Sequence, residues 1–307
     1  MKMFKRFFAG LVFVVILVYG AWCDELQDKY DIALDFVNQQ IVKLVDNKAT
    51  NVDYIFPFED NHLSINKNLW KANKKQKCVL VARLINAKNS SLKEVKFLQK
   101  YKNNENKIIW CFPVEDLLNT WKFDNNGATA RRWIEFLGLN PEYYKDTEAV
   151  QILFFLVKTE DLARPAYNPN VYEIITKSDV DEISITKNIR HPISSVYVEW
   201  NTESRKTFFM LAEYIRKQNP GSLCTRLGYT FDYYWTETTL KNISDIGNYF
   251  GVTELIVANT NADMYFVKAL SVSDATKTEI LKVVNDVNKL SSGTIEYIME
   301  FDMDPSE

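Results

Sequence analysis

The stretch Gln151 to Asn170 limits the possible folds of this chain more than any other. After Gln151 come six consecutive apolar residues, Ile152 to Val157, closed by Lys158. That run is too short for a membrane span, and its Phe and Ile content predicts a central strand buried on both faces. It gives way to Glu160-Asp161-Leu162, one turn of helix at most, and then to Arg164-Pro165 and Asn168-Pro169. Each Pro lacks an N–H and pushes its predecessor toward extended geometry, so residues 163–170 are expected to form a fixed, irregular loop. A rigid loop leaving a core strand, and carrying Arg164 and Tyr167, is a common place for a functional site.

The chain begins as an exported protein would. Lys2, Lys5 and Arg6 precede an apolar run from Phe7 to Val18, with Gly20 and Ala21 after it. This is the pattern of a secretory signal peptide. Cleavage after Cys23 leaves Ala21 and Cys23 at the small-residue positions; cleavage after Gly20 is the alternative. Trp22 stands where a lipoprotein site at Cys23 would require a small residue. No later stretch reaches the roughly 20 apolar residues of a span, so no stable membrane span is expected after signal cleavage. The expected location is secreted or periplasmic.

The 47% hydrophobic and 14% aromatic content supplies a sizeable core. With 37 basic and 40 acidic residues and a net charge of −3, nothing in the charge balance favours nucleic acid. Cys78, Cys111 and Cys224, at long spacings, form no metal motif, and no cofactor fingerprint is present. In an oxidising compartment one disulfide plus a free thiol is compatible with three cysteines. Cys78 and Cys111 flank or lie in apolar runs, where a buried neutral thiol is expected.

Residues 24–46 read as a helix, with Leu26, Tyr30, Ala33, Leu34, Val37, Ile41, Leu44 and Val45 on one stripe. Strands are predicted at 78–85 and 108–112. Ala128 to Leu137 reads as a helix ending at Gly138, and a second helix follows Thr202. Short strands are expected within 171–198. Arg226 to Trp235 alternates, with aromatics on one face and Arg226, Gly228, Thr230 and Asp232 on the other, the pattern of a half-buried strand. Residues 252–258 and 264–270 read as a hairpin across Asn259 to Asp263, and Ile280 to Leu290 as a closing helix. The same Glu-Asp-Leu that follows the central strand also follows the strand at 108–112, a weak hint of repeated strand–turn units. Strands and helices intermingle without strict βαβ alternation, so the predicted class is α+β: a mixed or antiparallel sheet with flanking helices. The organisation is a signal peptide (1–23), an N-terminal helix with a polar connecting segment (24–77) and one compact domain (78–307).

Three segments carry a resemblance. They are Ala130-Arg-Arg-Trp-Ile-Glu-Phe-Leu-Gly-Leu-Asn-Pro141, Asp161-Leu-Ala-Arg-Pro-Ala-Tyr-Asn-Pro169 and Thr225-Arg-Leu-Gly-Tyr-Thr-Phe-Asp232. In order and spacing they resemble an uncharacterised family of small exported bacterial proteins, with an Asp-Leu-x-Arg-Pro loop and an Arg-Leu-Gly-Tyr-Thr-x-Asp strand. The departures are Ala163 for an aromatic, Asn168 for an acid and Tyr233 for Trp. The resemblance covers under half the chain. It implies an exported single-domain fold and brings no activity with it.

Motifs for catalysis are sparse. With two histidines, His62 and His191, any His-based triad has little to draw on. Cys224 with His191 has no support from spacing. Paired carboxylates leave no sequence signature, so Glu160, Asp161 and Asp232 are the acids to examine first. Arg164 and Arg226 are placed to grip a carboxylate or phosphate through planar bidentate bonds. Tyr167, Tyr229, Tyr233, Tyr234, Trp200 and Trp235 are placed to stack on a sugar or peptide. The competing reading is that these residues are structural, with Arg164 tied to Asp161 or to backbone carbonyls and the aromatics in the core. Two functions from different classes are expected: a non-catalytic exported binding or interaction protein of unknown ligand or protein partner, or an exported hydrolase acting on peptidoglycan, glycan or peptide.

Overall fold

A computed structural model describes residues 25–37, 78–87, 97–101, 109–121, 123, 129–144, 149–165, 188–190, 197–199, 204, 207–208, 210–211, 223, 225, 228–234, 250–257 and 262–290. The fold is α+β, built on a seven-stranded sheet in which every described pairing is antiparallel. Its strands are β1 (Cys78–Asn86), β2 (Lys100–Tyr101), β3 (Ile109–Pro113), β4 (Val150–Lys158), β5 (Leu162–Ala163), β10 (Leu255–Val257) and β11 (Met264–Ser271), in the order β2-β11-β4-β1-β3-β10-β5. Two smaller pairs join β6 (Asn188–Arg190) to β7 (Tyr197–Glu199), and β8 (Tyr229–Phe231) to β9 (Phe250–Thr253).

The apolar run at 152–157 is the centre of that sheet. β4 pairs with β1 over all nine residues, from Cys78 opposite Lys158 to Asn86 opposite Val150, and with β11 on its other side. Successive β4 side chains point to opposite faces, and both faces are buried. Ile152, Phe154 and Leu156 join one core with Ala82, Phe112 and Ile256; Leu153, Phe155 and Val157 join another with Val81, Cys111 and Leu255. A bulge in β11 between Phe266 and Lys268 adds one residue and keeps Leu270 on the first face.

The first face is covered by helices. Residues 25–37 (α1) bury Leu26, Tyr30, Ala33 and Val37 at the predicted helical spacing. Val114–Asn119 (α2) follows Pro113 directly, and Ala130–Phe136 (α3) is capped by Thr129, whose hydroxyl accepts from Arg132 N. Lys277–Asn288 (α4) is capped by Thr276 and buries Ile280, Val283 and Val287. α3 stops at Gly138, which adopts a left-handed φ of 61°. The Gly138 N–H reaches Glu135 O and the Leu139 N–H reaches Ile134 O, which satisfies the last carbonyls of the helix.

Two local expectations are corrected. The strands at 255–257 and 264–271 do not form a hairpin: β10 lies between β3 and β5, while β11 lies between β4 and β2. Both are buried on two faces, and such strands gain more from two ladder partners each than from one another. The segment around β8 is not half-buried either. Thr230 and Asp232, expected on a solvated face, are buried, and side-chain hydrogen bonds satisfy them. The strands expected within 171–186, and residues 38–46 of the first helix, lie outside the described residues.

β4 and β5 are separated by only the helical turn Thr159–Asp161, yet stand four places apart in the sheet. In a flat sheet that is roughly 19 Å, whereas the four residue steps from Lys158 to Leu162 reach at most about 14 Å. The sheet therefore curls, bringing the end of β4 toward β10. Arg164, immediately after β5, lies in this turned-in corner.

Candidate functional site

Among the described residues, those singled out in the sequence fall into two groups. The first lies at the curled corner. Arg164 is fully buried and exerts an electrostatic pull on Asp116, from the first turn of α2. One oxygen of Asp116 accepts from Thr253 N at 2.7 Å. Burial pushes the Asp116 carboxyl above its ordinary value, and the Thr253 hydrogen bonds and Arg164 offset part of that rise. Asp161, the counterpart of Asp116 in the repeated Glu-Asp-Leu, is buried as well. Both acids follow strands that run in the same direction on either side of β1, so they leave the sheet at the same end. Cys111 lies beside the corner on β3. Burial pushes its thiol up to about 12, with Arg83 lowering it and Glu254 raising it further.

The second group joins α3 to the tail of β8. Arg132 and Asp232 form a bidentate pair, Nη1 to Oδ1 at 2.8 Å and Nη2 to Oδ2 at 2.6 Å. Asp232 Oδ1 also accepts from Tyr234 N at 3.2 Å. Asp232 is fully buried and Arg132 is 13% exposed at its side chain. The guanidinium lies 4.7 Å from the centroid of the Tyr234 ring and within 5.6 Å of Phe123 and Phe136. Tyr234 itself is 42% exposed. Tyr233, next in the chain, points inward and donates to Leu139 O at 2.9 Å.

Of the acids named from sequence, Asp161 and Asp232 are buried, and the side chain of Glu160 lies outside the described residues. Of the ligand-binding candidates, Arg164 and Tyr229 are buried; Tyr167, Trp200 and Arg226 lie outside the described residues. Neither Cys78, partly exposed, nor Cys111, buried, takes part in a disulfide. Sequence reasoning passed over Arg132, Glu135 and Asp116. Arg132 and Glu135 belong to the α3 segment quoted above, but their partners are distant in sequence and no spacing rule exposes them.

Among the described residues no three His, Cys, Asp or Glu side chains stand close enough to hold a metal ion, and no helix is long and apolar enough to cross a membrane. An open depression of about 400 Å³ runs along α4, lined by Lys282, Asn285, Asp286, Asn288 and Lys289. Asp286 and Lys289 pair there at 2.8 Å between exposed side chains, as on an ordinary solvated helix face. Comparison with family models, with curated proteins and with solved structures finds no match to this chain.

Proposed function

We propose that this is an exported, non-catalytic binding or interaction protein whose contact surface includes Tyr234. The observation that carries the reading is the mounting of that ring. Asp232 holds the Tyr234 backbone and clamps the guanidinium on which the ring rests, while 42% of Tyr234 stays exposed. An exposed aromatic fixed in this way loses little conformational freedom on binding, and Tyr and Arg are enriched among residues that dominate interfaces. Export rests on the basic start and apolar run of residues 2–18. Asp232 has both oxygens committed to Arg132 and Tyr234, an arrangement suited to holding a surface rather than to proton transfer.

The test is a thermal-shift screen against sugars, peptides, nucleotides and organic acids, with wild type beside Tyr234→Ala and Arg164→Ala. A ligand class that raises the melting temperature of wild type and Arg164→Ala but not of Tyr234→Ala supports the Tyr234 surface. A ligand whose effect survives in Tyr234→Ala and vanishes in Arg164→Ala moves the site to the corner after β5.

A further inference from the structure

The N-terminal helix closes over a carboxyl group. α1 lies against α3 and the end of β8, with Tyr30 meeting Tyr233 edge-on at 5.7 Å and Phe36 packed 6.0 Å from Phe231. In the same contact region is Glu135, fully buried on α3. Its Oε1 accepts from Arg131 Nε at 3.1 Å. Its Oε2 is buried and, among the described residues, receives no hydrogen bond. The neighbouring Tyr233 hydroxyl is committed to Leu139 O and cannot donate to it. Arg131 is shared: its Nη2 reaches across to Glu25 Oε1 on α1 at 2.8 Å. Lys29 of α1, buried and 3.8 Å from Glu25, adds positive potential.

We propose that docking of α1 takes up a proton at Glu135, so that the N-terminal helix is a pH-sensitive strap, held tightest in mildly acidic medium and loosened toward neutrality. An ionised carboxylate with one oxygen unsolvated and unbonded is costly, and a neutral carboxyl removes most of that cost. Arg131 and Arg132 of α3 and Lys29 of α1 favour the ionised form, yet burial outweighs them and raises the Glu135 carboxyl above its ordinary value. Asp232, beyond β8, is neutralised by Arg132. Tyr233 remains uncharged across this range, burial holding its phenol well above its ordinary value. When α1 lifts, Glu135 faces water and returns to an ordinary carboxyl. The docked form thus binds the proton more tightly, and docking weakens as pH rises from the ordinary value through the raised one, by up to about tenfold per pH unit for one proton. At the acid end Glu25 acts in the opposite sense. The hydrogen bond from Arg131 holds its carboxyl below the usual value, so the bridge to α1 persists until that lower pH is reached.

Hydrogen exchange of the full chain between pH 4.5 and 8, corrected for intrinsic rates, tests this. Protection of the α1 amides should fall with pH, approaching tenfold per unit at its steepest, while α4 amides keep theirs. In Glu135→Gln, α1 protection should be independent of pH over the same range. Wild-type α1 protection that does not change with pH, or a dependence that survives in Glu135→Gln, overturns the proposal. If Glu135→Gln does not fold, a carbon-13 titration of the wild-type Glu135 carboxyl decides. A midpoint above the ordinary carboxylate range upholds the strap, and one at or below that range rejects it.

Discussion

Arg132 and Asp232 stand one hundred positions apart and meet with two parallel hydrogen bonds, tying the helix after Thr129 to the strand that starts at Tyr229. Removing one partner of a buried pair leaves the other without compensation. Asp232→Ala should lower stability by about 3 kcal/mol, the low end of the range for buried pairs, because Arg132 keeps some contact with water. Urea unfolding measures it. An unchanged midpoint would show that the pair contributes nothing.

Arg164→Ala should behave as a core lesion. Burial already penalises the Asp116 carboxylate, and Arg164 is the cation that offsets part of that penalty. Its loss is expected to cost about 3 kcal/mol or more. Circular dichroism should show reduced thermal stability with native secondary structure retained. A variant as stable as wild type would free Arg164 for a ligand-binding role.

Gly251→Ala tests the packing of β9 against α3. A methyl group at Gly251 would lie 2.2 Å from Thr230 Oγ1 and 2.4 Å from Phe136 O. That hydroxyl donates to Phe136 O and accepts from Val252 N, so it cannot move without breaking both bonds. The expected loss is about 1–3 kcal/mol. Gly138→Ala should also destabilise, because its φ of 61° disfavours any side chain and a methyl would meet Phe231 O at 2.9 Å. Denaturant midpoints equal to wild type for both would contradict the close approach.

The two described cysteines should differ in reactivity. With its thiol pushed up to about 12 and little solvent contact, Cys111 carries a thiolate fraction on the order of one in ten thousand at pH 8. Iodoacetamide at that pH should label Cys78 in the native protein and Cys111 only after unfolding. Mass mapping of the labelled peptides reads this directly, and native labelling of Cys111 would contradict its burial.

The export reading predicts a shortened product. Expressed with its own leader, the chain should be recovered outside the cytoplasm with a mass that begins at Asp24, or at Ala21 if cleavage follows Gly20. Recovery solely as the full-length chain inside the cell would sink it.

Much of the framework was legible because it rests on local periodicity. The runs at 78–85, 108–112 and 152–157 became β1, β3 and β4, and the stripe at 280–290 became α4. Pairing was less legible. Residues 255–257 and 264–271 are adjacent apolar strands, and proximity suggests a hairpin; only burial of both faces, unreadable in so short a segment, sends them to different neighbours. The polar side of the β8 segment misled for a related reason. Thr230 and Asp232 look like solvent-facing residues until Phe136 and Arg132 arrive from a helix far back in the chain to satisfy them. Candidate-site residues suffered most. Arg164 stood out as a recognition arginine beside prolines, and its burial beside Asp116 depends on the curl of the sheet, which no residue pattern announces.

The position of β4 also sets a timetable for folding. Its two ladder partners come from opposite sides in sequence: Asn86 meets Val150 from upstream, and Ser271 meets Gln151 from downstream. A nascent chain that has just completed Val157 has one partner available and an open, strongly apolar edge until more than a hundred further residues arrive. Pairings of such separation are slow to form. Unprotected apolar edges also template wrong partners. Substitutions that leave the finished sheet untouched but slow the arrival of β11 should therefore lower the yield of soluble protein without lowering its melting temperature.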